Sequence, residues 1–289
     1  MNTTSVYNRV KYIKDEKFNI EYISQYELLL YLNGHSFFVS VVDTLDHRCL
    51  FFEEYEILED HLISVLEEIF DDHYFLRAAF WKKIKFSQYN NKFTLIPNGL
   101  FVTENAFDYL DLITDVTLGL DKVLHYKHEN LGLTNVFAVN YALYEWLTEF
   151  YHNKKIVFIH PTGSHIEMLM KVKSSESYET LDITFHQNAF DISYKKNNKL
   201  EFCNIFDYYS ESDVLYFLLA VVDSLNIDTR NLSCNLYGTI DHNSILFSKI
   251  KEFVKNTKFG SKPSMIQFSH AFDELYLHQY NDLFPMYIC

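Results

Sequence analysis

Apolar positions in this chain switch between a period of two and a period near 3.6, and the switches come twice in the same order. Tyr26–Asn33 reads as a strand, Gly34-His35 as a tight turn, Ser36–Asp43 as the hairpin partner, and Arg48–Glu56 as a third strand after the turn-like Thr44–His47. Leu58, Leu62, Val65, Leu66, Ile69 and Phe70 then share one helical face, with Glu59 and Asp60 in the first turn. From Tyr178 the pattern repeats as strand Glu179–His186, turn Gln187-Asn188, strand Ala189–Tyr194 and, beyond a Lys/Asn-rich tip, strand Leu200–Phe206. The next helix opens at Ser210, whose hydroxyl and the Asp213 carboxylate have capping-box spacing.

Both copies continue as strand, helix, strand, helix. In the first half these are Thr134–Val139, Tyr141–Tyr151 capped by Asn140, Lys155–Ile159 and Ser164–Val172. Their counterparts are Leu232–Tyr237, Asn243–Val254 (capped by Asp241 or Asn243), Ser264–Phe268 and Ala271–Gln279. Hairpins imply antiparallel pairing and strand–helix alternation implies parallel pairing, so the sheets should be mixed. Arg77 to Lys127 interrupts the first copy with a hairpin (Lys82–Phe86, Lys92–Ile96), a helix (Glu104–Ile113) and a strand (Lys122–Tyr126). The expected division is residues 1–172, with an insert at about 77–127, and residues 178–289, joined by a small polar linker at 173–177.

The formal charge of −14 over 289 residues argues against nucleic acid and anionic lipid as partners. The longest apolar run, Val214–Val222, falls well short of the roughly 20 residues a bilayer span needs. The N-terminal stretch carries charges through Glu21 and has no signal-peptide core. Cys49, Cys203, Cys234 and Cys289 are scattered, with no C-x-x-C pair, which fits a reduced cytoplasmic protein. The expected partner is therefore another protein, with a homodimer left open.

Only seven glycines occur, and none forms G-x-G-x-x-G, G-x-x-x-x-G-K-[ST] or G-x-S-x-G, the loops that bring backbone N–H groups to phosphate or to an oxyanion. His125, His128 and Glu129 offer ligand chemistry without a third histidine or a cysteine nearby, and His160, His165 and Glu167 read as polar caps; no metal site is expected. The apolar end, Leu283–Cys289, is expected to pack back onto its own half, with docking to a partner as the alternative.

A βββαβαβα unit present twice, with an insert in the first copy, resembles the α/β actin-like ATPase (ribonuclease H-like) fold, most closely its cell-division and pilus-assembly branch. Phe93-Thr94-Leu95-Ile96-Pro97, Asn135-Val136-Phe137-Ala138-Val139, Asn204-Ile205-Phe206-Asp207-Tyr208 with Asp213 and Tyr216, and Leu236-Tyr237-Gly238 resemble an uncharacterised bacterial family, domain of unknown function 3822. These are packing motifs, so the resemblance carries fold and no activity. It also implies where ATP and Mg²⁺ would sit: an Asp-x-Gly hairpin turn in each half and a glycine-paired adenosine turn. Here the first turn reads Leu32-Asn33-Gly34-His35-Ser36, the second Phe185-His186-Gln187-Asn188-Ala189, and the third Leu236-Tyr237-Gly238-Thr239. Both acids and most of the glycines are missing. Asn33, Gly34, Ser36, His186 and Gly238 are what remains of nucleotide loops, and Asn33-Gly34 also reads as a plain type I′ turn. The expected protein is non-catalytic, without ATP or Mg²⁺, and works through protein contacts. The alternatives are a divergent nucleotide-binding protein or ATPase that uses an interdomain cleft, and a small-ligand binder.

Overall fold

The computed structural model describes residues 5–171 and 179–289, and the linker expected at 173–177 lies outside the described residues. The chain divides into two compact units. One reaches to Ser164 and is completed by Met265–Glu274 and Met286–Cys289; the other comprises His165–Ser264 with Leu275–Pro285.

In the first unit the chain runs β1 (Tyr7–Lys14), β2 (Tyr26–Asn33), β3 (Ser36–Asp43), β4 (Arg48–Ile57), helix α1 (Leu62–Asp72) and β5 (Lys83–Gln88). It continues with β6 (Phe93–Pro97), α2 (Ala106–Asp111), β7 (Asp121–His128), β8 (Leu133–Asn140), α3 (Tyr141–Phe150) and β9 (Ile156–Phe158). Helix α4 (Pro161–Lys171) follows, and the division at Ser164 falls inside it. The main sheet has the order β1-β4-β3-β2-β5-β9, with hairpin pairings antiparallel and β2-β5-β9 parallel. Strand β2 sits centrally, covered on both faces, which is why Leu28, Leu29, Leu30 and Leu32 form a continuous apolar run instead of an alternation.

Strand β5 departs from the expected hairpin. It pairs in parallel with β2, and β6 pairs instead with β8 in a separate sheet of order β6-β8-β7. The insert is therefore β6-α2-β7-β8, placed between the fourth strand and the second helix, and Thr134–Val139 belongs to it. The Lys-Ile-Lys-Phe alternation of β5 suggests a half-solvated strand. Lys85 is nevertheless buried: its Nζ lies 2.6 Å from Glu27 Oε2 and donates to the Tyr287 carbonyl at 2.8 Å. Burial presses the Lys85 pKa down, against the pull of Glu27.

The second unit runs β10 (Glu179–Phe185), β11 (Ala189–Lys196), β12 (Lys199–Asp207), α5 (Glu211–Ser224), β13 (Ser233–Gly238), α6 (Ile245–Phe253) and β14 (Thr257–Phe259). Its sheet order is β12-β11-β10-β13-β14, with β10-β13-β14 parallel. Leu181, Ile183 and Phe185 of β10 and Phe190, Ile192 and Tyr194 of β11 point into one apolar core with Val214, Leu218 and Val221 of α5 and Leu246 and Ile250 of α6. The capping box at Ser210 and Asp213 is formed, as is the Asn140 cap of α3, which accepts from Leu143 N. Asn197-Asn198, both with positive φ, make the β11–β12 turn.

Several local expectations change. In the β2–β3 turn only Gly34 has positive φ, at the first of the two central positions Gly34-His35; this is the type II′ pattern and not type I′. Helix α1 begins at Leu62, so Glu59 and Asp60 precede it. Helix α6 begins after Ser244, which makes no side-chain cap, while Asp241 accepts from Asn243 N in a local turn. Ser264–Phe268 contributes one bridge, Arg48 to Gln267, and the strand is Thr257–Phe259. Ala271–Gln279, expected as a helix, is instead crossed by two short 3-10 turns, His270–Phe272 and Leu277–Tyr280. At the C-terminus Leu283 and Phe284 are fully buried and grouped with the second unit, whereas Met286–Cys289 belong to the first, where Tyr287 meets Lys85.

Candidate functional site

The β10–β11 turn, where the sequence resemblance would place a phosphate loop, is hydrogen-bonded to the protein's own groups. Tyr208 N donates to the Asn188 carbonyl at 3.0 Å, and the Tyr208 hydroxyl reaches the carbonyl of His186 at 3.1 Å. Thr239 N donates to the Phe185 carbonyl at 2.9 Å, and Thr239 Oγ1 lies 3.3 Å from the carbonyls of Phe185 and His186. Gly238 makes this approach feasible: it has φ +79°, and a Cβ there would stand 2.0 Å from Phe185 O. His186 and Gly238 are thus brought together around Phe185, and what they hold is the chain itself.

Behind the turn lies a buried polar face. Strands β10 and β11 alternate, and the side opposite the apolar core carries Thr180, Asp182, Thr184, Asp191, Ser193 and Lys195, all buried. His165 Nε2 lies 3.4 Å from Asp182 Oδ2, Asn235 donates to Asp182 Oδ1 at 2.7 Å, and Asn281 contacts His165 Nδ1. Lys195 Nζ donates to the Leu169 carbonyl at 2.7 Å. Burial raises the Asp182 pKa, although His165, Asn235 and Lys195 oppose it. His186 sits between two carboxylates, with Nε2 3.1 Å from Asp191 Oδ1 and Nδ1 3.5 Å from Asp282 Oδ2. Burial works against its charge, but Asp282 and Asp191 outweigh it and hold the imidazole pKa above the ordinary 6.5.

A pH dependence follows. With a folded pKa above the unfolded one, the charged His186 contributes stability that is complete below pH 6.5 and is lost as pH rises through the folded value. Stability of the wild type to urea should therefore fall across that window more than that of a His186→Gln variant does. Parallel pH profiles for the two proteins would refute the assignment.

In the first unit Asn33, Gly34 and Ser36 share one turn, where Gly34 has φ +55° and open space around its missing Cβ. A cavity of about 740 Å³ lies elsewhere in this unit, lined by Tyr7, Arg9, Glu53, Tyr55, Asp72 and His73 among others. Its polar walls satisfy one another: Glu53 receives Arg9 Nη1 at 3.1 Å, Tyr55 OH at 2.6 Å and His73 Nε2 at 2.8 Å, and Tyr7 OH donates to Asp72 at 2.8 Å. His125 and His128 are three apart on strand β7, so they face opposite sides of its sheet. His160 stacks on Phe93 and lies 2.8 Å from Thr162 Oγ1. Among the described residues no group of three His, Cys, Asp or Glu side chains is placed to hold a metal ion, and no helix is long and apolar enough to cross a membrane.

The insert carries a feature that the repeat pattern does not reveal. Leu110 of α2 packs with Val136 and Ala138 of β8, supported by Phe101, Ala106, Val116 and Val123. The loop that joins α2 to β7 leaves Leu112, Ile113, Leu118 and Leu120 82, 60, 80 and 64% exposed. The signal in the sequence was an apolar run, Leu-Ile-x-x-Val-x-Leu-x-Leu, that exceeds what so small a sheet can cover.

The fold has known counterparts. A Bacteroides thetaiotaomicron protein described as having an actin-like ATPase fold and unknown function superposes with a TM-score of 0.77 at 19% identity, covering 84% of this chain and 93% of that one. The structure titled PilM-PilN type IV pilus biogenesis complex gives a TM-score of 0.59 at 9% identity, covering 91% of this chain and 96% of that one. No curated protein matches in sequence. These likenesses establish the actin-like ATPase fold. Residues 15–257 match the family described as "Protein of unknown function (DUF3822)", and the chain belongs to that family.

Proposed function

We propose that this protein is a non-catalytic member of the actin-like fold that works by binding another protein. The observation that carries the reading is the exposed apolar loop of the insert, since monomeric soluble proteins rarely leave four neighbouring aliphatic side chains in water unless a partner covers them. The state of the former nucleotide turns supports it. Asn33, Gly34 and Ser36 retain one glycine and no acid, and the turn His186-Gln187-Asn188-Ala189 has neither. The PilM–PilN structure adds an analogy, a protein of this fold captured in complex with another. All four cysteines are free thiols, which agrees with a cytoplasmic site of action.

The test is titration with Mg-ATP in a calorimeter. The reading predicts no heat of binding, and micromolar affinity would overturn it.

A further inference from the structure

We infer that the α2–β7 face of the insert docks a basic, amphipathic segment of a partner protein, with lysine or arginine flanking an apolar stripe. The inference rests on the protein-contact reading and adds the chemistry of the partner. Six of the 22 exposed large apolar side chains among the described residues lie between residues 100 and 120: Leu100, Val102, Leu112, Ile113, Leu118 and Leu120. They stand on a well-ordered base. Leu112 N donates to Asp108 O, Thr114 N to Leu110 O and Leu120 N to Thr117 O, while Thr117 N is held by Asp121 Oδ2 at 2.8 Å. The apolar side chains are therefore presented by a fixed turn structure and not by a loose tip.

Charge selects the occupant. From Phe93 through Asp121 the sequence contains no lysine, arginine or histidine, yet Glu104, Asp108, Asp111 and Asp115 are all exposed around these apolar residues. Asp121 is already paired with Lys92 at 2.6 Å, leaving those four to face an incoming chain. A positive partner gains attraction and steering from them. An anionic membrane surface is repelled by the same charges and by the net −14 of the whole chain.

The probe is a fluorescein-labelled, 18-residue leucine/lysine helix with one apolar stripe, compared by anisotropy with the same design in leucine/glutamate. The lysine helix should bind the intact protein with an affinity that weakens as salt rises, and the glutamate helix should not. Leu112→Asn with Leu118→Asn, both at exposed positions, should lower affinity at least tenfold. Asp111→Asn with Asp115→Asn should lower it several-fold and flatten the salt dependence. Leu45→Asn, an exposed position elsewhere in the first unit, should change nothing. Unaltered binding in the leucine pair, confirmed with Ile113→Asn and Leu120→Asn, would overturn the inference. So would equal binding of the glutamate helix, self-association abolished by the same substitutions, or sedimentation with phosphatidylglycerol vesicles. None of these outcomes bears on nucleotide binding, so this inference can fail while the reading beneath it stands.

Discussion

Replacing Gly238 with alanine is expected to destabilise the second unit by about 3 kcal/mol or more, enough to threaten folding of the protein. Two costs combine. An alanine at φ +79° is strained whatever surrounds it, and its Cβ would stand 2.0 Å from Phe185 O and 2.8 Å from Phe185 N. Neither strand can retreat, because Phe185 and Gly238 are register partners in the parallel β10–β13 pair and Thr239 N is bonded to Phe185 O. Gly34→Ala is the control: the same sign of φ in open space should cost only about 1 kcal/mol. Hydrogen exchange of the β10 and β13 amides reads the difference. Equal protection in the two variants would mean that Gly238 is not needed for this close approach.

Lys85→Ala is expected to cost about 3–5 kcal/mol, because it leaves the Glu27 carboxylate buried in the main sheet without its cation. It also removes the donor to the Tyr287 carbonyl. Converting both residues, Lys85→Met with Glu27→Leu, should recover most of the loss, since neither charge then remains to be desolvated. Trp81 and Trp146 are the chain's two tryptophans, and both belong to the first unit, so their fluorescence during denaturant unfolding isolates the relevant transition. A double variant as unstable as the single one would show that the pair is not coupled.

The same lysine explains where sequence reading worked and where it failed. Duplicated hairpins, the Ser210–Asp213 capping box and the Asn140 cap are local features, set by turn chemistry and by side chains within a few residues, and they were legible directly. The fourth strand of the first half was not. Its Lys-Ile-Lys-Phe alternation has the period of a solvated face, and only a partner 58 positions earlier, Glu27, makes that face fit for burial. The polar side of β10 and β11 misleads in the same way. Asp182, Asp191 and Lys195 look like surface charges until His165 and Asn235, His186 and the Leu169 carbonyl are seen to answer them in turn. Strand β1 left little trace, since an edge strand with exposed Val10 and Tyr12 has no apolar face to announce it. The final helix was misjudged for the opposite reason: its apolar residues are buried, yet the backbone there forms separate 3-10 turns.

For the candidate site, sequence pointed to the turns at 33–36 and 186–189 through what they lack. It could not show that Tyr208 and Thr239 bond to carbonyls of the second turn, because those contacts join separate strands and loops. Nor did it single out the aliphatic loop from Leu112 to Leu120, whose exposure depends on how little sheet lies beneath it.

Calorimetric titration of the intact chain with Mg-ATP and Mg-ADP bears most directly on the central claim, that this actin-like fold has given up gripping phosphate and acts through its surface. The account predicts no heat beyond dilution up to about 1 mM nucleotide, equivalent to a binding free energy weaker than about −4 kcal/mol. A saturable isotherm near one nucleotide per chain, abolished by His186→Ala, would contradict it.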